Sequence, residues 1–411
     1  MTRVAMLFPG QGAQVPGMGR SVHDAFEPVR SLFKRGGEVL GMDLAGLCFD
    51  ATAEELARPS NAQPALLVVG YAHATVYAAQ YEIEPVVVAG HSLGEYTALA
   101  FAGALSFEDA LLLVRRRGEL MEQADPERRG TMAAVQGLPM AAVAQACDRG
   151  AHGEVVVCAN HNAPDQVVIS GHRSAVSRVS ERLEAEGARV VALDVGGAFH
   201  SPLMAPCVGP LEQSLRDVSW ATPRVPVVSS VDARAHQDAE GWVERLARQV
   251  VAPVQWWDTV QALEAWPVDV AVDVGPRKIL ADLVRRHSVV VGAHSLATRE
   301  SRRALEQQLY SSHFSFLKRA IGVAVSVPNR NQDDDAYQEG VVEPLRELRA
   351  LYRAIVEDDH PILPAHARRA RTILETVLAT KRVPEEEARD RVEALVRETG
   401  LETFFAEWID R

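Results

Sequence analysis

The chain has 411 residues, 47% of them hydrophobic and 24% charged, which suffices for a sizeable core and more than one domain. A formal net charge of −12 repels nucleic acid and anionic membrane surfaces, and no apolar run is long enough to span a bilayer, so neither is expected as a partner. The N-terminus enters a strand-like segment without a signal pattern, and Cys48, Cys147, Cys158 and Cys207 are too scattered for a zinc or disulfide framework; a cytoplasmic protein with structural thiols and no metal is expected.

From residue 4 to about residue 123, apolar strand-like runs alternate with amphipathic helical ones, the pattern of a parallel sheet covered by helices. The first strand, 4–8, runs into Phe8-Pro-Gly-Gln-Gly-Ala-Gln14. This is no dinucleotide fingerprint, because Val15 stands where a third glycine would be, and it lacks the Lys-Ser/Thr of a phosphate loop. Its glycines let backbone amides approach a ligand closely, and an oxyanion is one such ligand.

The stretch Pro85-Val-Val-Val-Ala-Gly-His-Ser-Leu-Gly-Glu-Tyr-Thr-Ala-Leu99 carries an apolar strand into G-x-S-x-G and then into a helix, 95–103. A nucleophile elbow has this order: Gly90 and Gly94 allow the tight turn, Ser92 is lifted out of the sheet, and the helix points its positive end at any oxyanion formed there. On the next helix, 108–123, Ala110, Leu113, Val114, Arg117, Leu120 and Met121 form one stripe, so Arg117 lies in the apolar face. A charge there needs a partner, either an internal carboxylate or a carboxylate carried by the substrate.

Asp125-Pro-Glu-Arg-Arg-Gly130 breaks the alternation. Beyond it a strand 131–136, helix 140–149, strands 154–160 and 166–170, helix 175–187 and strand 189–194 follow in β-α-β-β-α-β order, resembling a small ferredoxin-like unit inserted into the large one. The larger pattern resumes after Gly196-Gly197 with helix 202–217, strand 225–229, helix 240–250 and strand 268–274. His200 sits at that junction, ahead of an N-cap Ser201 and Pro202, and is the best-placed base for Ser92; a plain loop histidine is the alternative, and His91 is the rival. Past Asn329-Arg-Asn-Gln-Asp-Asp-Asp335 the chain is helical and rich in Arg and Glu, near 337–357, 364–381 and 385–398, without a catalytic or metal constellation.

Residues 1–310 resemble the malonyl-CoA:acyl-carrier-protein transacylase family, including the stand-alone acyltransferases of polyketide synthases. The markers are FPGQGAQ, QPAL at 63–66, GHSLGEYTAL, RRRGELM, NHNAPDQVVISG, GAFHS, PVQW at 253–256 and DVGPRKIL. The resemblance and the element order together imply an α/β fold: an α/β-hydrolase-like large domain with a parallel sheet, 1–125 and 199–310, and a ferredoxin-like small domain, 126–198; the helical segments beyond give a mainly helical extension, 311–411, of unknown role. The resemblance implies transfer of malonyl from malonyl-CoA to the phosphopantetheine of an acyl carrier protein through Ser92, with His200 as base and no cofactor. By the same resemblance the amides of Gln11 and Leu93 form the oxyanion hole, Arg117 binds the malonyl carboxylate, and a backbone carbonyl near Gln249 orients His200. Phe199 favours malonyl over branched units, and Asn160 and Asn162 lie near the acyl-pantetheine path. Arg277 and Lys278, with Arg173 and Arg178, are the candidate basic rim for an acidic carrier. The alternatives are a carrier-protein acyl hydrolase of the same fold, a transferase for another dicarboxylic unit, a general α/β-hydrolase esterase, which would need an acid between Ser and His, and a non-catalytic docking module.

Overall fold

The computed structural model describes residues 2–288 and 291–406. Ten strands are present among them: β1 (Val4–Phe8), β2 (Val87–Gly90), β3 (Gly130–Gln136), β4 (Val156–Ala163), β5 (Gln166–His172), β6 (Arg189–Leu193), β7 (Val227–Val228), β8 (Ala235–His236), β9 (Val270–Asp273) and β10 (Gly292–Ser295). They form a six-stranded sheet, β10-β9-β1-β2-β7-β8, and a four-stranded sheet, β4-β5-β3-β6. In the first sheet all pairs are parallel except β7 with β8; every pair of the second is antiparallel.

β1, β2 and β9 are buried at every position, as strands covered on both faces must be, which explains why they are apolar throughout save for Asp273 at the end of β9. Phe8 pairs with Gly90 and Leu7 with Asp273, so the three strands end at one edge of the sheet. The 9–14 loop, the Ser92 turn and the 274–278 loop therefore emerge side by side, where open α/β sheets bind their ligands.

Between β1 and β2 the expected alternation does not occur: five helices intervene and no strand. The longest, Pro59–Gln80, holds a largely apolar stretch, Ala65–Val69, that is buried at every position. With no solvent face there, the segment lacks a polar stripe and its sequence resembles a buried strand. The segment expected as one helix from 202 begins as a 3-10 turn, Pro202–Met204, before the helix Ala205–Arg216.

The four-stranded sheet has its own core, where Val135, Val143, Val167, Ile169, Val179 and Leu183 meet. Its strand β4 is tied to the large sheet's side of the molecule by the backbone bonds His161 N to Val254 O and Val254 N to Ala159 O, both 2.9 Å. These two sheets belong to one compact unit that ends at Arg299; a second unit consists of Glu300 onward together with Gln80–Glu82, so it starts ahead of residue 311. The helix Arg299–Ser326 runs through that position. Within the second unit, helices Glu343–Val356, Pro364–Thr380 and Glu385–Thr399 bury Leu348, Leu374, Val377 and Val396. Lys381 Nζ donates to Ala324 O at 2.8 Å and Val327 O at 2.7 Å, satisfying carbonyls at the end of the first helix.

The close approach of β1 to the helix Gly94–Ala102 depends on Gly94, where a methyl group would strike the Phe8 carbonyl. Gly94→Ala is therefore expected to lower the unfolding free energy by about 1 to 3 kcal/mol. Gly209→Ala, in a helix with open space around the added carbon, should instead raise it by about 0.5 to 1 kcal/mol. Denaturant melts of the two variants that move the same way would contradict this account.

Candidate active site

Ser92 occupies the turn between β2 and the helix Gly94–Ala102 with a φ of 52°, in the left-handed region that a non-glycine residue enters at a cost of about 1 to 3 kcal/mol. The turn is held by His91 N donating to Phe8 O at 2.9 Å, and a side chain on Gly90 would collide with the backbone of Gly94 and Glu95. His200 is also left-handed, with a φ of 58°, and is buried. Its Nε2 lies 2.7 Å from Ser92 Oγ.

The other ring nitrogen fixes the tautomer. Nδ1 is 2.9 Å from Gln249 O and 3.1 Å from Ala252 O; carbonyls only accept, so Nδ1 carries the proton and Nε2 accepts from the serine hydroxyl. Burial first, and then the neighbouring Arg117 charge, push the His200 pKa down to about 3, which keeps the imidazole neutral and basic toward Ser92.

Arg117 is buried in the helix Phe107–Gln123. Its Nη1 donates to Gln63 Oε1 at 2.9 Å, and Nη2 donates to Gln249 Oε1 and to Ser92 Oγ, both at 3.1 Å. The Tyr96 ring lies 5.7 Å from the guanidinium carbon. No carboxylate is within ion-pair distance among the described residues, and Nε has no acceptor. Two amide dipoles thus hold the cation in place and leave its charge without a counter-ion, so the internal salt bridge considered from sequence is absent. Leaving such a charge buried and unpaired is costly, and an anionic ligand removes the cost.

The remaining expected residues fall around this centre. The Gln11 loop packs on the elbow, since a side chain at Gly10 would meet His91 O. Among the described residues neither the Gln11 nor the Leu93 amide donates to a protein acceptor, as a pair of oxyanion donors requires. Asn162 Oδ1 lies 2.9 Å from His91 Nε2, so the rival histidine is turned away from the serine and engaged with the second sheet. Asn160 is buried on β4 beside that contact, and Phe199 is buried next to His200 in the chain. Arg277 is exposed and donates to Gly12 O at 3.3 Å, against the Gln11 loop, with Lys278 exposed beside it. Arg178 is not part of a free rim: it donates to Glu154 at 2.8 Å and to Gly150 O at 3.0 Å, stitching the small sheet's own helices and turns.

Sequence reasoning missed the side chains of Gln63, Glu95, Ser230 and Gln249. Gln63 had a weak signal, a carboxamide directly ahead of an apolar run. Glu95 had a misleading one, because an acid in the first turn of a helix is explained by the helix dipole alone.

A serine on an elbow, a histidine with a fixed tautomer, a buried cation and two unpaired amides define an enzyme of acyl transfer, built on a mixed α/β fold with one parallel and one antiparallel sheet. The chain belongs to the acyl transferase domain family, whose sequence profile matches residues 5–344. It is 40% identical over 287 residues to the malonyl CoA-acyl carrier protein transacylase of Escherichia coli K12, covering 70% of this chain and 93% of that one. The Bacillus subtilis 168 protein of the same name is also 40% identical, over 288 residues, with 70% and 90% covered. Among solved structures, the transacylase of Coxiella burnetii superposes with a TM-score of 0.71 at 37% identity over 73% of this chain and 95% of that one. A malonyl-transacylase solved with its type II PKS acyl-carrier protein gives 0.71 at 36% identity over 75% and 100%.

The depressed His200 pKa has a directional consequence. A base must be unprotonated to act, so the acid limb of kcat/KM for acylation of Ser92 by a neutral chromogenic ester should lie well below pH 6.5, the ordinary histidine value. Arg117→Ala removes a neighbouring positive charge and should move that limb to higher pH. A limb near 6.5 in both proteins would contradict the assignment.

Proposed function

We propose that the protein transfers a malonyl group from malonyl-CoA to the phosphopantetheine thiol of an acyl carrier protein, serving fatty acid or polyketide assembly. The observation that carries this reading is the Arg117 guanidinium, 3.1 Å from the serine oxygen and without a counter-ion. An acyl group that ends in a carboxylate supplies what is missing there, and the substrates named for the relatives carry one.

In the first half-reaction Ser92 Oγ attacks the thioester carbonyl as its proton passes to His200 Nε2, and the amides of Gln11 and Leu93 receive the oxyanion. Collapse of the tetrahedral adduct breaks the C–S bond, and the departing sulfur takes the proton from His200. In the second, the carrier's thiol gives its proton to His200 and attacks the malonyl-serine ester. Collapse then returns the acyl group to sulfur and the proton to Ser92. Gln249 and Ala252 hold the ring through their carbonyls throughout, and the cycle draws on no cofactor.

The β4-β5-β3-β6 order and the β-α-β-β-α-β path support reading 126–198 as a ferredoxin-like insert, and the elbow at the end of β2 supports a hydrolase-like large domain in 1–125 and 199–310. The helical extension after it has no assigned chemistry. No helix among the described residues is long and apolar enough to cross a membrane, and free thiols at Cys48, Cys147, Cys158 and Cys207 fit a reducing cytoplasm.

Incubation with malonyl-CoA alone should place a malonyl group on Ser92, located by peptide mapping, and Ser92→Ala should abolish both the adduct and transfer to the carrier. An adduct on another residue would overturn the scheme, and release of free malonate in preference to transfer would favour the hydrolase.

Arg117→Ala should shift the malonyl-over-acetyl preference toward acetyl by about 2 to 5 kcal/mol, the cost of truncating one partner of a buried charge pair. Equal loss with both acyl-CoAs would return Arg117 to a purely structural role.

A further inference from the structure

Glu95 is 0% exposed, lies one turn past the nucleophile, and takes part in no step of the reaction above. One of its oxygens does all the bonding. Oε2 accepts from Ser230 Oγ at 2.6 Å, from Gln249 Nε2 at 2.8 Å and from Ser230 N at 3.1 Å, while Oε1 has no partner among the described residues. Placing a carboxyl group in the interior is costly, and here three contacts at one atom offset that cost.

Those contacts act on Gln249. A carboxamide has a donating end and an accepting end, and a half-turn exchanges them with little change of shape. The Gln249 amide nitrogen donates to Glu95 Oε2, to Ser92 O at 3.0 Å and to Ser230 Oγ at 3.3 Å. Only in that orientation does Oε1 face the Arg117 Nη2 donor. The reversed carboxamide would set an N–H against the guanidinium and an oxygen against the carboxylate and the Ser92 carbonyl.

We infer that Glu95 is a positioning residue for acyl selectivity: with Ser230 it locks the Gln249 carboxamide in one orientation and thereby aims the Arg117 guanidinium at the acyl carboxylate. The inference rests on the reading that Arg117 holds that carboxylate. Protonation of Glu95 would fall on the unpartnered Oε1, so Oε2 remains an acceptor and the lock survives in either charge state.

The full chain is assayed for Ser92 acylation with malonyl-CoA and with acetyl-CoA. Glu95→Gln keeps the shape but lets position 95 present either end of an amide, and should lower the malonyl-over-acetyl ratio by roughly tenfold or more. The loss should fall mainly on KM for malonyl-CoA, with acetyl kcat little changed. Glu95→Asp, which restores a carboxyl group, should recover part of the ratio. Ser230→Ala leaves all charges in place and should move the ratio the same way by a smaller factor, so it decides the matter if the Glu95 variants do not fold. An unchanged ratio, or equal loss for both acyl-CoAs with no recovery in Glu95→Asp, would overturn the inference. Arg117→Ala in the same assay separates the two readings. If it shifts the ratio while Glu95→Gln and Ser230→Ala do not, Glu95 has no positioning role. If Arg117→Ala leaves the ratio unchanged, the carboxylate reading fails and this inference with it.

Discussion

The site is organised around a guanidinium kept inside the protein without a carboxylate beside it. A buried charge of this kind survives only if oriented dipoles surround it, and each dipole comes from a different part of the chain. Gln63 comes from the start of the helix Pro59–Gln80, Gln249 from the end of Trp242–Gln249, and Ser92 from the elbow. The parallel sheet sets the elbow beside the Gln11 loop, because the two leave adjacent strands at one edge. Much of the catalytic unit can be understood as the framework needed to hold one unneutralised cation next to one serine.

Gln249 is the residue through which these demands meet. Its backbone carbonyl accepts from His200, its side-chain oxygen accepts from Arg117, and its side-chain nitrogen donates to the Ser92 carbonyl. One neutral residue thus touches His200, Arg117 and the Ser92 backbone, and small movements of its helix end would be felt by all three. The left-handed backbone at both Ser92 and His200 is a further expense of the same arrangement, held in place by the packing of the elbow glycines and of the buried loop before Ser201.

The parts of this centre that were legible in the sequence are those written in local patterns. G-x-S-x-G after an apolar run announces a turn, and a lone arginine in an apolar stripe announces a buried charge. His200 was visible as a junction residue, yet its role came from family likeness, since nothing local distinguishes it from other histidines. What sequence could not disclose depends on pairing between distant segments: the two carbonyls behind His200, the carboxamides on Arg117 and the Glu95 contact. The helix Pro59–Gln80 was obscured for a different reason, because a helix surrounded by protein carries no amphipathic period. β7 lies inside the strand expected at 225–229, whereas β8 and β10 are short and were not expected, and only their sheet partners define them.

Among the described residues the imidazole Nδ1 of His200 meets main-chain carbonyls and no acidic side chain. Every amino acid carries a carbonyl, so no single codon change at 249 or 252 deletes the acceptor itself, whereas an orienting aspartate can be lost in one substitution. The vulnerability is transferred from side-chain identity to chain length: inserting or removing one residue in the 249–252 turn would shift both acceptors at once. Over evolutionary time residues 250–252 should accept drift in composition far more readily than drift in length, whereas Gln249 is held to its identity by the side-chain contacts with Arg117 and Ser92.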